Sequence, residues 1–185
     1  MDKKVNEILK KIEKLEKTAN LGSVPRSTGE FLRLLILAAK SKKILELGCS
    51  VGYSAIWMAL AVKELGSHIY TIEIDRYRIQ LAKKHFKAAK LGKFITLIEE
   101  DIVEVLPNWK LGKVDFVFID AKKEDYLRYY ESVFPLVKKG GLIIADDVGK
   151  FKEKVKPFLQ KVDKDIRVTS QFLDLDDGLV LVYKK

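Results

Sequence analysis

The stretch that decides the fold is LELGCSVGYSA, Leu45–Ala55. Its two glycines, Gly48 and Gly52, stand four residues apart. An apolar run, KKILELG, leads into it, and YSAIWMALAVKEL, with helical character, leads out. Strand, glycine turn and helix in that order open a nucleotide-binding type of α/β unit. A dinucleotide loop would carry glycine where Ser50 stands, and a P-loop would end in Lys-Ser/Thr. GCSVG has neither feature. It therefore suits close backbone approach to a small ligand, not a pyrophosphate.

Outward from this loop the chain alternates. SHIYTIEI reads as a strand, followed by a helix from Arg76 to Lys90 that Asp75 can cap and Gly92 closes. FITLIE is a strand, and a short helix ends near Pro107. VDFVFID is a strand and KEDYLRYYESVFPLV a helix, with Tyr126, Leu127, Tyr130, Val133, Phe134 and Val137 on one face. GGLIIAD is a strand and FKEKVKPFLQKV a helix with Phe151 on its apolar face. IRVTSQFL and GLVLVYK are too close for a parallel crossover and should pair antiparallel. Before the glycine loop, residues 2–18 form an amphipathic helix and Thr28–Lys40 a second one. The expectation is a doubly wound, Rossmann-like α/β fold. Its seven-stranded sheet is mostly parallel, with an antiparallel C-terminal pair and an extra N-terminal helix.

Length and composition bound the function. At 185 residues the chain suits one domain, with 1–20 as the N-terminal helix and 21–185 as the core. It is 48% hydrophobic and 33% charged, which suits a soluble globular protein. LRLLILAAK is too short to span a bilayer, and the N-terminus has no secretory apolar core. No membrane partner is expected. One cysteine gives no disulfide framework, so a cytoplasmic location is expected. The net charge of +9 permits an RNA partner, but lysines interleave with glutamates as on solvated helix faces. The N-terminal helix is expected to cap the core, with pairing in a homodimer as the other possibility.

In an open α/β sheet, ligands bind beyond the carboxyl ends of the strands. Those ends carry Gly48, Ser50, Gly52 and Ser54; then Glu73; then Glu99, Glu100 and Asp101; then Asp120; then Asp146 and Asp147. A basic chain thus gathers acids along one rim. Glu73 lies about 20 residues beyond the loop, where an acid takes ribose hydroxyls. Ser54 in the next helix's first turn offers a hydroxyl beside free N–H groups, suited to a carboxylate. A ribose, an adenine, an amino-acid carboxylate and a cationic sulfonium together describe S-adenosylmethionine. NAD is the weaker reading because the loop spacing is wrong.

The runs KKILELGCSVGYSAIWMA, YTIEID, DFVFIDAKKEDYLRYYESVFPLVKKGGLIIADDV and DDGLVLVYKK resemble the metal-dependent class I O-methyltransferases. These are the catechol and caffeoyl-CoA O-methyltransferase group, with relatives that methylate tRNA 5-hydroxyuridine. The resemblance spans roughly residues 20–185. It implies that Gly48, Ser50, Gly52, Tyr53 and Ser54 line the methionine end of the cofactor and that Val24 is an N-terminal cofactor contact. Glu73 would take the ribose, Ile74 would border the adenine, and Asp101 would meet its amino group. Asp120 belongs with both cofactor and metal; Asp146 and Asp147 complete the ligands of Mg²⁺, or of Mn²⁺ or Ca²⁺. Lys123 would be the general base, its pKa lowered by the metal, with Lys122 as the neighbouring alternative.

The chain departs from the family in Asp146-Asp147, where Asp-Asn is usual, and in a short stretch from Asp147 to Asp177. An open acceptor site follows. The acceptor is expected to be a small catechol-like aromatic, or else a tRNA hydroxyuridine. A noncatalytic S-adenosylmethionine-binding domain is the rival from another class. A contiguous basic surface would favour RNA and an aromatic slot the small molecule. Cys49 is read as lining the loop, Trp57 as packing, and His68 and His85, with no ligand spacing, as surface residues. Trp109 either borders the adenine or packs. Tyr126 is close enough to Lys123 to face the acceptor.

Overall fold

Every run read as a strand becomes a strand of one sheet. β1 (Lys43–Leu47), β2 (His68–Ile72), β3 (Ile95–Ile98), β4 (Val114–Ile119) and β5 (Val137–Ala145) pair in parallel. β6 (Val168–Leu173) and β7 (Leu179–Lys184) close the sheet antiparallel against β5. The order β3-β2-β1-β4-β5-β7-β6 reverses direction between β1 and β4, the topological switch point where such sheets bind ligands. The structure is a computed structural model that describes residues 2–19 and 21–185. Met1 and Asn20, at the two ends of the segment read as the N-terminal helix, lie outside the described residues.

Among the described residues seven α-helices cover the sheet: α1 (Lys3–Ala19), α2 (Arg26–Ala38), α3 (Tyr53–Leu65), α4 (Arg76–Ala88), α5 (Ile102–Val105), α6 (Tyr126–Val133) and α7 (Lys152–Lys164). Alternate strand residues feed two cores. Ile44, Phe116, Phe118 and Ile144 meet α1 to α4 on one face. Leu45, Val117, Ile119 and Ile143 meet α5 to α7 on the other. Residues 55–62 of α3 are buried on every side of the helix, so it sits under α2 as a wholly internal helix. α1 spends its apolar stripe on that same core: Leu9 and Ile12 are completely buried. Each such side chain contributes about 1.5–3 kcal/mol. The stripe is a cap on the domain, as expected. No helix among the described residues is long and apolar enough to cross a membrane.

Several boundaries differ from the sequence reading. α2 starts at Arg26, after Pro25, and ends at Ala38. α4 ends at Ala88, and Lys90 takes the left-handed turn (φ 56°) before Gly92 is reached. The run from Lys123 to Leu136 splits into a 3₁₀ turn, α6 and a second 3₁₀ turn. Pro135 cannot donate to an α-helical ladder, which ends α6. On α6 Tyr129 is buried and Leu127 only half so. Phe151 is the residue before α7, not part of its buried face.

Candidate functional site

The chain turns sharply after β1 because Gly48 takes φ +97°. A Cβ there would stand 2.0 Å from the carbonyl oxygen of Asp120, at the end of the neighbouring strand. Only glycine fits both constraints. The N–H groups of Gly48 and Cys49 donate to the Ile72 carbonyl, and that of Asp120 donates to Leu47, so the loops after β1, β2 and β4 are stitched together. They enclose a cavity of about 590 Å³.

Many of the residues read from the sequence meet in this cavity. Gly48, Ser50, Glu73, Ile74, Asp101, Asp120, Lys122, Lys123 and Asp147 line it. Glu73 is nearly buried; its Oε2 accepts the Ser50 N–H at 2.7 Å, and its Oε1 accepts those of Ile74 and Asp75 at 3.0 Å. It thereby fixes the glycine loop as well as facing the cavity. Asp101 accepts from the Val103 N–H and starts α5. Ser50 Oγ donates to the Leu21 carbonyl at 2.7 Å, which ties the loop to the segment leaving α1.

Other expected residues stand behind the wall. Val24 is buried in the core beside α1 and α2. Gly52 begins α3 in a left-handed conformation, with the Phe86 ring 2.5 Å from where a Cβ would be. Tyr53 is buried and donates to Glu13 on α1 at 2.6 Å. Ser54 turns inward and donates to Glu46 Oε1 at 2.5 Å. Glu46 was not singled out from the sequence. It is fully buried under the loop, also accepts from Thr71 Oγ1, and burial pushes its carboxyl up to about 8. The signal was an acid inside an apolar strand, KILEL. Arg78, Tyr129 and Phe151 also line the cavity. His85 donates through Nδ1 to the Val51 carbonyl of the glycine loop at 2.8 Å. Trp109 packs edge-on to Tyr70 and donates to Gly112 at 2.7 Å, away from the cavity wall.

The end of the cavity at the loops after β4 and β5 is built on charge. Lys123 Nζ stands 2.7 Å from Asp120 Oδ1, 2.7 Å from Asp147 Oδ2 and 2.9 Å from the Tyr126 hydroxyl. Tyr126 is completely buried and also reaches the carbonyls of Ile119 and Asp146. Lys122 also lines the cavity but pairs with Asp125, not with Asp120 or Asp147. Burial lowers the Lys123 ammonium's pKa, but the charge and hydrogen bond of Asp120, joined by those of Asp147, outweigh it, and the net direction is upward. The family resemblance implies a metal that lowers it; here the nearest charges are carboxylates. Asp146 is almost fully buried, and burial followed by the charges of Asp120 and Asp147 raises its carboxyl to about 8. Asp147 holds a left-handed backbone (φ 62°), a conformation Asn and Asp tolerate best.

Two groups can be tested against this site. The cavity has the glycine approach, the acid after β2 and the volume for a nucleoside with an amino-acid tail. For a divalent ion the donor types fit, since Asp120, Asp146 and Asp147 offer only oxygen. Among the described residues, however, no three His, Cys, Asp or Glu side chains converge on one point. The place between Asp120 and Asp147 is taken by the Lys123 ammonium.

The O-methyltransferase family profile matches residues 2–185. The catechol O-methyltransferase of Niastella koreensis is 36% identical over 129 residues, covering 68% of this chain and 58% of that protein, so the chain spans little over half of it. The flavonoid 3',5'-methyltransferase of Vitis vinifera is 32% identical over 185 residues, covering 88% of this chain and 78% of that one. The O-methyltransferase from Bacillus cereus in complex with SAH has the same fold, with a TM-score of 0.87 at 24% identity, covering 97% of this chain and 91% of that one.

Proposed function

The chain belongs to the O-methyltransferase family, and on that premise we propose that it methylates a hydroxyl of a small, catechol-like aromatic with the help of a divalent metal. The observation that carries the reading is the placement of Lys123 between Asp120 and Asp147 at the end of the S-adenosylmethionine cavity, beside an aromatic wall of Tyr129 and Phe151. S-adenosylmethionine supplies a methyl group on a sulfonium. Glu73 holds its ribose and fixes the loop; Gly48 lets the backbone come close; the acidic rim favours its cation. For Asp120, Asp146 and Asp147 to hold Mg²⁺, Mn²⁺ or Ca²⁺, the Lys123 ammonium would have to leave its place between Asp120 and Asp147; the ion, when bound, would lower the pKa of the acceptor hydroxyl.

Lys123 takes the proton of that hydroxyl. To do so it must first give its own proton to solvent and leave its two carboxylates as a neutral amine. Tyr126 keeps the amine aimed at the acceptor through the 2.9 Å hydrogen bond. The oxygen then bonds to the methyl carbon as the carbon–sulfur bond breaks, and positioning of the two reactants is the main contribution of the protein.

A small acceptor is favoured over RNA by the state of the lysines at the mouth. Lys122, Lys150 and Lys154 are each paired, with Asp125, Asp177 and Glu124. The Phe151 ring lines the cavity beside these paired lysines and offers an aromatic face for a ring to stack on.

The test is calorimetric titration with S-adenosylmethionine, with and without Mg²⁺ and catechol, followed by turnover in the presence of a chelator. Micromolar cofactor binding, with catechol binding and turnover only when metal is present, is the expected result. Cofactor binding with no metal-dependent catechol binding would move the acceptor to a hydroxylated RNA base.

A further inference from the structure

The helix that follows the cofactor-covering segment has no cap of its own. α2 opens after Pro25, a residue with no side-chain acceptor, and nothing in its first turn is acidic. Its free N–H groups are served from the far end of the chain. Asp176, in the loop between β6 and β7, accepts from the Thr28 N–H at 3.1 Å, from Thr28 Oγ1 at 2.7 Å and from Ser27 Oγ at 2.6 Å. The partners are 148 and 149 residues apart in sequence. Asp176 holds a left-handed backbone (φ 51°) to make these contacts. A carboxylate at a helix N-terminus satisfies its orphan donors and meets the positive end of its dipole.

What this cap fixes is the stretch just before it. Leu21 accepts the Ser50 hydroxyl of the glycine loop, and Gly22 lines the cavity. The other end of the stretch is tied to α1, where Glu16 accepts the N–H groups of Gly22 and Ser23. Residues 21–25 are thus a strap anchored at α1 on one side and at α2 on the other. Asp177, the next residue in the same loop, accepts the N–H groups of Gly149 and Lys150 and pairs with the Lys150 ammonium. One hairpin loop therefore grips both the cofactor strap and the loop that carries Asp147 and Phe151.

We propose that Asp176 is a positioning residue for cofactor binding: by capping α2 it holds the Leu21–Pro25 strap closed over the glycine loop. The proposal rests on the S-adenosylmethionine reading of the cavity. Without the cap the start of α2 frays, Pro25 and Val24 lose their anchor, and the cofactor must order the strap at its own cost. The effect falls on cofactor affinity and leaves the methyl-transfer step alone.

The test is titration of S-adenosylhomocysteine into the wild type, Asp176→Ala and Asp176→Asn, with steady-state kinetics at saturating acceptor. Asp176→Ala is expected to raise Kd and the cofactor KM roughly tenfold. Its kcat at saturating cofactor should stay within about threefold of the wild type, and Asp176→Asn, which keeps one acceptor oxygen, should recover part of the affinity. The double variant Ser27→Ala/Thr28→Val leaves Asp176 in place and removes only its hydroxyl partners; a several-fold rise in Kd is expected there too, which keeps the test open if Asp176→Ala does not fold. Wild-type binding with unchanged affinity in the variants, whatever their melting temperature, overturns the proposal. Absence of binding by the wild type itself would instead overturn the cavity reading.

Discussion

Lys123 Nζ lies 2.7 Å from Asp147 Oδ2, an ion pair that joins the loop after β4 to the loop after β5 across one end of the cavity. The same ammonium reaches Asp120 at equal distance. Two carboxylates on one ammonium hold the lysine charged, so the proposed base rests in its protonated form. On the proposed mechanism, an entering acceptor breaks this arrangement.

Replacement of Lys123 separates the two roles. Lys123→Met should lower kcat by about 10²–10⁴-fold, the usual contribution of a positioned general base. Cofactor affinity should move less than about twofold, because Lys123 contacts the acceptor end. Lys123→Arg keeps the ion pairs but cannot give up its proton, and should be as slow as the methionine variant. Because the pairing carboxylates raise the lysine pKa, wild-type kcat should climb with pH through the neutral and mildly alkaline range. The climb should vanish in Lys123→Met. Stopped-time methyl-transfer assays from about pH 6 to 9 provide the check; an arginine variant as fast as the wild type would remove Lys123 from proton transfer.

Glu46 makes stability depend on pH in a defined direction. Its carboxyl has an ordinary value of 4.5 and is raised to about 8 in the fold, chiefly by burial, with the Ser54 and Thr71 hydroxyls opposing. Below about 4.5 it is protonated folded and unfolded alike. Between 4.5 and 8 the unfolded chain releases the proton and the native chain keeps it, so the native state binds more protons and stability falls as pH rises. Above about 8 the loss is complete. Urea unfolding at several pH values should show the wild type losing stability from about pH 5 to 8 relative to Glu46→Gln, which has no such proton. Parallel curves for the two proteins would mean that the buried group is ionised in the native state.

Two glycines with the same backbone hand should respond very differently to alanine. Gly66 ends α3 at φ 61°, and a Cβ added there would find nothing within 4 Å, so Gly66→Ala should cost only the left-handed penalty of about 1–2 kcal/mol. Gly48, at φ +97°, would put the same carbon 2.0 Å from the Asp120 carbonyl oxygen, a backbone atom that cannot step aside. Gly48→Ala should cost more than about 3 kcal/mol and abolish cofactor binding. Urea midpoints of the two variants decide it. Equal losses would show that the loop after β4 shifts freely.

The order of elements was legible because each strand is a short apolar run and each helix has its own period. KKILELG, VDFVFID and GLVLVYK all lie close to their strands' ends. Boundaries set by distant contacts were not legible. α2 begins two residues earlier than Thr28 because Asp176 supplies the cap, and nothing near Pro25 announces that partner. The rim acids Glu73, Asp101, Asp120 and Asp147 reach the cavity because strand ends place them there whatever their rotamers. Ser54 and Tyr53 sit one turn further on, where side-chain direction depends on what lies beneath. Buried Glu46 and half-buried Glu13 draw their hydroxyls inward. Spacing fixes position along the chain, but the direction of a hydroxyl is fixed by its partner.

Glu73 offers the sharpest test of the cofactor site, because its two oxygens are already engaged. Oε2 holds the Ser50 N–H and Oε1 those of Ile74 and Asp75, so the carboxylate shapes the loop before any ligand arrives. A ribose must share the remaining lone pairs. Glu73→Gln replaces one oxygen by an amide N–H₂, which cannot accept from any of these donors and faces one of them directly. Hydrogen bonds to a charged group are worth about 1.5–3 kcal/mol, so S-adenosylhomocysteine affinity should fall between roughly tenfold and a hundredfold. Glu73→Ala should fall further and also lower the unfolding midpoint, since the Ser50 N–H loses its partner. Calorimetry with adenosine as a second ligand isolates the ribose contribution: adenosine binding should weaken by the same factor as S-adenosylhomocysteine. If both variants bind adenosine as the wild type does, Glu73 is a loop brace alone and the ribose is held elsewhere.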